Sequence, residues 1–309
     1  MRVAVIDLGT NTWNIVVAES RQDQSFEVLH DEKLPVKLAK GGMSKKIILP
    51  EAMDRGMQAL RQHMETASRL GVQEVEIIAT SAFRTASNGM EFAQKILEET
   101  GHAVNIVTGN REAELIYKGV SASVNLREDP VLILDIGGGS NEFIIGNREK
   151  IFWKKSYKLG IARLLEHFTV SDPITPQEIM KFEYHFEETL AELIREFPSY
   201  HIDTLIGAAG SFETFASMLS FRHGNLYARP AKKAHTAIRL EDYHQLHQEL
   251  VNSTTEERLR MPGLEPMRVE MIVLASVFVN FVLEKFGITQ FIQTDYSLKE
   301  GRVAEICAK

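Results

Sequence analysis

Two spacings of apolar residues alternate along this chain, and together they set the expected architecture. Residues 2–7 (RVAVID) form an apolar run ending on Asp7, followed by the turn-forming LGTNT and a second apolar run over 14–18. That is the pattern of a strand, a tight turn and a strand. Over 50–70, Met53, Met57, Leu60, Met64 and Ala67 fall three and four residues apart and predict an amphipathic helix. A strand is expected over 75–79, a helix over 88–100 stopped by Gly101, and a short strand over 103–107. A further helix, with Asn110 as its expected cap, runs to about Ser123.

The polar stretch Leu126-Arg-Glu-Asp-Pro130 has no apolar periodicity, and beyond it the opening pattern returns. Residues 131–135 are an apolar strand ending on Asp135, then come the turn Ile136-Gly-Gly-Gly-Ser140 and a new strand. The repeat D-[LI]-G-[TG]-x-[ST], at Asp7 and again at Asp135, indicates a duplicated domain of α/β type. The expected division is 1–124 and 125–309. In the second part a long helix is expected over 175–197, a strand over 204–206 leading into Gly207-Ala-Ala-Gly210-Ser211, and a buried helix over 271–286.

Composition narrows the function classes. Apolar residues at 44% and charged residues at 25% fit a soluble globular chain of 309 residues. The N-terminus lacks a basic, then apolar, leader pattern, and the longest apolar stretch is broken by Ser276, Asn280 and Glu284, so neither a signal peptide nor a membrane span is expected. One cysteine, Cys307, fits a reducing cytoplasm. A net charge of −7 argues against nucleic acid as a partner and requires any polyanion to be met by local cations.

Candidate chemistry sits in three glycine-rich turns: Gly9-Thr10-Asn11-Thr12, Gly137-Gly138-Gly139-Ser140 and the turn around Gly210-Ser211. Each follows a strand and can aim backbone N–H groups at phosphate oxygens. None matches GxxxxGK[ST], and none gives GxGxxG ahead of a helix, which disfavours a Walker or dinucleotide site. A single such turn is more often a plain hairpin. An Asp at the strand end before two of them shifts the balance, because carboxylates beside phosphate-binding turns suit Mg²⁺. Asp135 and Glu142, flanking one turn, are the expected metal pair.

Glu112 stands apart from the turns. Glu114 precedes Lys118 by four residues, the order of an exposed ion pair. Glu112 instead shares its stripe with Ile116, Gly119, Val120 and Ser123, so its carboxylate is expected at a buried or cleft-facing position with a raised pKa. That environment suits a general base, although acidic residues in a first helical turn are also common for dipole reasons alone.

The segments DLGTNT, ATSAFRTASNG, GNREAELIYKGV, LDIGGGSNEFIIG, KLGIARL and GAAGSFETFA, with the closing TDYSLKEGRV, occur in the order of the exopolyphosphatase / guanosine pentaphosphate phosphatase family, which the chain resembles over essentially its whole length. The resemblance implies an actin-like ATPase (ribonuclease-H-like) fold in its short two-domain form, with the phosphate site in the interdomain cleft. It implies Glu112 as the base that activates water, and Asp135 and Glu142 at a Mg²⁺ site. It further implies Arg84, Asn11, Gly137 to Ser140 and Gly210-Ser211 on substrate phosphate. Implied partners are polyphosphate or guanosine pentaphosphate as substrate, and a homodimer fits the family. Departures are Arg111 beside the expected base, Asn141 in place of Thr, Lys299 in place of Arg, and a 268–275 segment without the usual Asp and Gly.

The competing readings are another phosphotransferase on the same fold and a non-catalytic polyphosphate or alarmone sensor. Three basic groups could track a polyanion: Lys37, Lys40, Lys45 and Lys46; Lys154, Lys155 and Lys158; Arg229, Lys232 and Lys233. His244 and His247 lie three apart on an expected helix with no third ligand nearby, which favours a surface pair over zinc.

Overall fold

The computed structural model describes residues 1–223 and 234–308; Arg229, Lys232 and Lys233 lie outside the described residues. The first apolar runs become β1 (Arg2–Leu8) and β2 (Thr12–Ser20), a hairpin closed by the LGTN turn. Then follow β3 (Phe26–Pro35), α1 (Pro50–Arg69), β4 (Glu74–Ala79), α2 (Ser81–Thr85), α3 (Gly89–Thr100), β5 (Val104–Ile106) and α4 (Gly109–Ser123). Helix α3 stops where expected, at Gly101 in the left-handed region with φ 74°. Helix α4 is capped by Thr108, whose hydroxyl accepts from Arg111 N–H at 3.2 Å, and not by Asn110, which is already inside the helix.

The second part repeats this plan. It runs β6 (Val131–Ile136), β7 (Asn141–Gly146), β8 (Ile151–Tyr157), α5 (Ile161–His167), α6 (Pro176–Thr189), α7 (Ala191–Glu196), β9 (Thr204–Ala208) and α8 (Gly210–His223). It ends with β10 (His235–Ile238), α9 (Leu240–Asn252), α10 (Thr255–Arg258), α11 (Ile272–Lys285), β11 (Gln290–Thr294) and α12 (Leu298–Cys307). The helix expected over 175–197 is two helices. The chain leaves helical geometry at Leu190 (φ −90°, ψ 9°), and the offset lets both Leu190 and Leu193 be fully buried.

Among the described residues the sheets have orders β3-β2-β1-β4-β5 and β10-β11-β9-β6-β7-β8. In each, a central strand pairs antiparallel with the next strand of its hairpin and parallel with a strand reached through a helical crossover. Removing β10 leaves the same order twice, so the sequence repeat is a structural duplication and the architecture is the actin-like ATPase fold. No helix among the described residues is long and apolar enough to cross a membrane.

Apolar side chains form one core under each lobe and a third between the sheets. The third joins Val3, Val5 and Ile78 of one sheet to Ile133, Ile144 and Ile206 of the other through α4 and α12. These two helices cross at Gly119 and Gly301, where any Cβ would collide with the carbonyl of Ser297 or of Leu115. Glycine is required there by contact, since neither residue has a positive φ. Gly119→Ala should therefore destabilise the fold by about 1–3 kcal/mol through overpacking, read as a lower urea midpoint.

His247, buried on α9, faces Ser276 Oγ of α11 with its Nδ1 at 3.2 Å, and His244 faces Asn280 Oδ1 at 3.1 Å; both contacts are structural. Burial, reinforced by His244, pushes the His247 pKa down to about 4. The unfolded chain protonates this group near its ordinary value of about 6.5, so between the two values the unfolded state binds more protons. Its contribution is present above pH 6.5 and is lost as pH falls toward 4. Urea midpoints at pH 7 and pH 5 should differ more for the parent than for His247→Gln.

Candidate active site

The duplication brings two equivalent hairpins face to face. Asp7 and Asp135 stand near the C-terminal ends of the central strands, and their cross-strand partners are Asn14 and Glu142 respectively. The turn of each hairpin follows at once. Thr10, Asn11, Thr12, Gly137, Gly138, Gly139 and Ser140 line one cleft together with Asp7, Asp135, Glu142, Glu112 and Gly210. The approach is close: a Cβ on Gly139 would lie 2.6 Å from Thr10 Oγ1 and 2.7 Å from Ser81 Oγ of the other lobe. Ser211, buried in the first turn of α8, is not among the lining residues. The turn before it carries Ala209 and Gly210 at φ 49° and 48°, and Ala209 N–H donates to Thr294 O at 2.8 Å.

Glu112 enters from α4, as the helical stripe predicts, and is 7% exposed. Arg84, at the end of α2, donates Nη1 to Glu112 Oε2 at 3.0 Å and to Val107 O at 2.7 Å, which fixes the guanidinium beside the carboxylate. Arg84 does not itself line the cleft. Burial, then Glu142, holds the Glu112 pKa well above the usual carboxylate range, against the pull of Arg84. Glu142 is pushed up to about 7 by burial, although Ser156 Oγ donates to it at 2.6 Å. Asp7 rises to about 7, from burial and then from Asp135. Asp135 rises to about 6 through burial, opposed by the Ser297 hydroxyl that donates to its Oδ2. Four acidic groups thus share a site whose burial disfavours their charged forms.

The ion pairs around α4 differ from expectation. Glu114 pairs with Arg111 at 3.3 Å and Lys154 at 3.0 Å, not with Lys118, which reaches Glu305 at 2.7 Å. The packing of α12 against α4 supplies Glu305 as a nearer acceptor. Arg111 also pairs with Glu305, so its charge is neutralised on the α12 side. Of the basic groups, Lys37 pairs with Glu270 at 3.0 Å and Lys155 with Glu192 at 2.6 Å. Lys37 and Lys40 line a compartment that adjoins the cleft through Thr10, Asn11 and Met271.

The site also contains residues that sequence reasoning did not assign. Lys33 lines the cleft and pairs with Glu213 of α8, tying the lobes together. Lys299 is buried in the lining, 2.8 Å from Asp31 and paired with Glu300. Ser297 begins a capping box with Glu300, an S-x-x-E signal readable in the sequence. Arg268 is 7% exposed, and among the described residues no hydrogen bond or ion pair is made by its guanidinium. No pattern in a single sequence marks it.

Buried atoms without partners show what the cleft lacks. Asp7 Oδ1 and Asn14 Oδ1 are unpartnered acceptors, while Asn11 Nδ2 and Arg268 Nε are unpartnered donors. Acceptors fit a cation or its waters, and donors fit an anion. Among the described residues no three His, Cys, Asp or Glu side chains converge to enclose a metal by themselves. Asp135 and Glu142 are direct partners across β6 and β7, and two carboxylates match in number and type what a Mg²⁺ site completed by water and phosphate oxygens requires.

Comparison with known proteins decides the family. Residues 16–309 match the Ppx/GppA phosphatase family. The chain belongs to the Ppx/GppA phosphatase family. A crystal structure of an exopolyphosphatase from Cytophaga hutchinsonii is 35% identical and superposes with a TM-score of 0.95, covering 100% of this chain and 98% of that one. Exopolyphosphatase 2 of Mycobacterium tuberculosis is 27% identical over 97% of each chain. A bifunctional 3-dehydroquinate synthase/phosphatase of Fusobacterium nucleatum is 28% identical over 98% of this chain but only 46% of its own length. A buried N–H donor without a partner, as Arg268 Nε–H is, is costly, and an anion in the cleft would supply the partner. Arg268→Met should leave the ligand-free protein as stable as the parent or more so, and should abolish most of the rise in melting temperature that tripolyphosphate gives the parent.

Proposed function

We propose that this protein is a divalent-cation-dependent exopolyphosphatase, releasing the terminal phosphate of inorganic polyphosphate to water, with guanosine pentaphosphate as a further substrate of the same chemistry. The observation that carries the reading is the position of Glu112. It is a buried carboxylate with a raised pKa, held by Arg84, facing the cleft shared by two hairpin turns. Membership of a phosphatase family supports hydrolysis over transfer to another acceptor.

In the proposed step a water oxygen attacks the terminal phosphorus in line as the bond to the bridging oxygen breaks, and the chain leaves one phosphate shorter. Glu112 takes the proton of that water. Its raised pKa makes it an effective acceptor near neutral pH, and Arg84 keeps part of the population ionised. The N–H groups of Gly138, Gly139 and Ser140, with Thr10, Asn11, Thr12 and Arg268, hold the terminal phosphate and meet the charge developing on it. Asp135 and Glu142 would hold the Mg²⁺, which when bound neutralises phosphate charge and orients the chain. Gly210 borders the cleft from the third turn, and Ser211 supports that turn from within α8.

Phosphate release from long polyphosphate, tripolyphosphate and guanosine pentaphosphate, with Mg²⁺ and with EDTA, tests the reading. The parent should act on polyphosphate only with the cation. Glu112→Gln should lose about 10²-fold or more in kcat while still binding tripolyphosphate by calorimetry. Ordinary turnover by Glu112→Gln would refute the base assignment. Inactivity of the parent on all three substrates would leave a binding protein.

A further inference from the structure

The phosphate turn of the second lobe is held from behind by helix α5. Ile161 N–H donates to Gly137 O at 3.0 Å and Arg163 N–H to Gly138 O at 3.0 Å. The Arg163 side chain completes the set, its Nε donating to Gly139 O at 2.9 Å. Backbone donors in a first helical turn have no partner inside the helix and are free for such use. Gly160 makes the approach feasible, because a Cβ there would overlap the backbone of Gly138 and Gly139.

In a trans peptide the carbonyl of one residue and the N–H of the next lie in one plane and point in opposite directions. Fixing the carbonyls of Gly137, Gly138 and Gly139 toward α5 therefore turns the N–H groups of Gly138, Gly139 and Ser140 away from it. Those residues line the cleft, and among the described residues no acceptor is present for these three N–H groups. Three consecutive glycines have broad conformational freedom and would otherwise spread over many orientations. The first lobe uses the same device in backbone form. After its third strand, Val36 and Lys37 N–H donate to Asn11 O at 2.9 and 2.8 Å, and Leu38 N–H donates to Thr10 O at 2.9 Å. Among the described residues, only in the second lobe does a side chain hold a turn carbonyl.

We infer that Arg163 is a positioning residue for substrate. Its Nε–H fixes the Gly139–Ser140 peptide so that the turn's N–H groups stay aimed at the phosphate, and it acts through this hydrogen bond, not by touching the ligand. The inference rests on the reading of this turn as the phosphate site.

Two substitutions separate hydrogen bond from charge. Gln places its Nε2 donor the same number of bonds from the backbone as Arg Nε, without the positive charge. Met places a methyl group there and keeps the stem. Tripolyphosphate binding by calorimetry and kcat/KM on polyphosphate are measured for the parent, Arg163→Gln and Arg163→Met, with urea midpoints as a control. Arg163→Met should weaken binding and kcat/KM by about tenfold, the size of one charge-assisted hydrogen bond, while Arg163→Gln stays within about threefold of the parent. Equal loss in both variants would show that charge matters and would overturn the inference. So would parent-like binding by Arg163→Met, or losses that merely follow lower midpoints. A parent that binds no tripolyphosphate would instead remove the phosphate reading of the site, and this inference with it.

Discussion

Four acidic side chains gathered in one cleft are the constraint around which the rest is arranged. Asp7, Glu112, Asp135 and Glu142 are all displaced upward in pKa, and burial is the largest cause in each case. Like charges this close, in a medium of reduced dielectric, do not all ionise without nearby opposite charge or hydrogen-bond donors. The fold supplies both at fixed points: Arg84 on Glu112, the Ser156 hydroxyl on Glu142, the Ser297 hydroxyl on Asp135 and the Asn14 amide on Asp7 at 3.4 Å. Three of these contacts are made within one lobe, whereas Ser297 reaches Asp135 from the start of α12, which packs against β1 and β2, so that contact depends on the docking of the lobes.

That docking is done by α4 and α12. Helix α4 carries Glu112, and the segment entering α12 carries Ser297, which holds Asp135. Their contact at Gly119 and Gly301 permits no side-chain atom between them, so a shift of one helix must move the other. Under the proposed reading the base, Glu112, and a metal ligand, Asp135, come from different lobes and are nevertheless set by one helix crossing. Lys299, buried with Asp31 and Glu300, ties the same helix to β3 of the first sheet.

Much of this was legible in the chain. The two Asp-Gly turns give the duplication directly, because a turn after a β-strand is written in local residue types. The stripe that sets Glu112 inward is a local periodicity and is readable for the same reason. Strand β3 was not foreseen: it pairs with β2, and its alternating half-buried pattern carries His30, Asp31, Glu32 and Lys33 in place of an apolar face. Arg268 and Lys33 reach the cleft only through packing of segments distant in sequence, and nothing local distinguishes them from surface cations. The Glu114–Lys118 pairing failed for a related reason. A spacing rule for an isolated helix is overridden when α12 brings Glu305 to Lys118 and β8 brings Lys154 to Glu114.

The duplication also explains why the two turns need not serve the same purpose. Equivalent positions across the hairpins hold Asp7 with Asn14 in the first lobe and Asp135 with Glu142 in the second. An amide in the first pair removes one negative charge and gives Asp7 a donor, so that side leans toward hydrogen bonding. Two carboxylates in the second lean toward a cation. Glu112 belongs to neither hairpin; it arrives on the helix between the lobes, beside Glu142 and opposite Arg84. Under the proposed reading that is where a base has to stand. A carboxylate within either turn would compete with phosphate for the turn's N–H groups, whereas one on α4 can face the attacking water and leave those donors to the substrate.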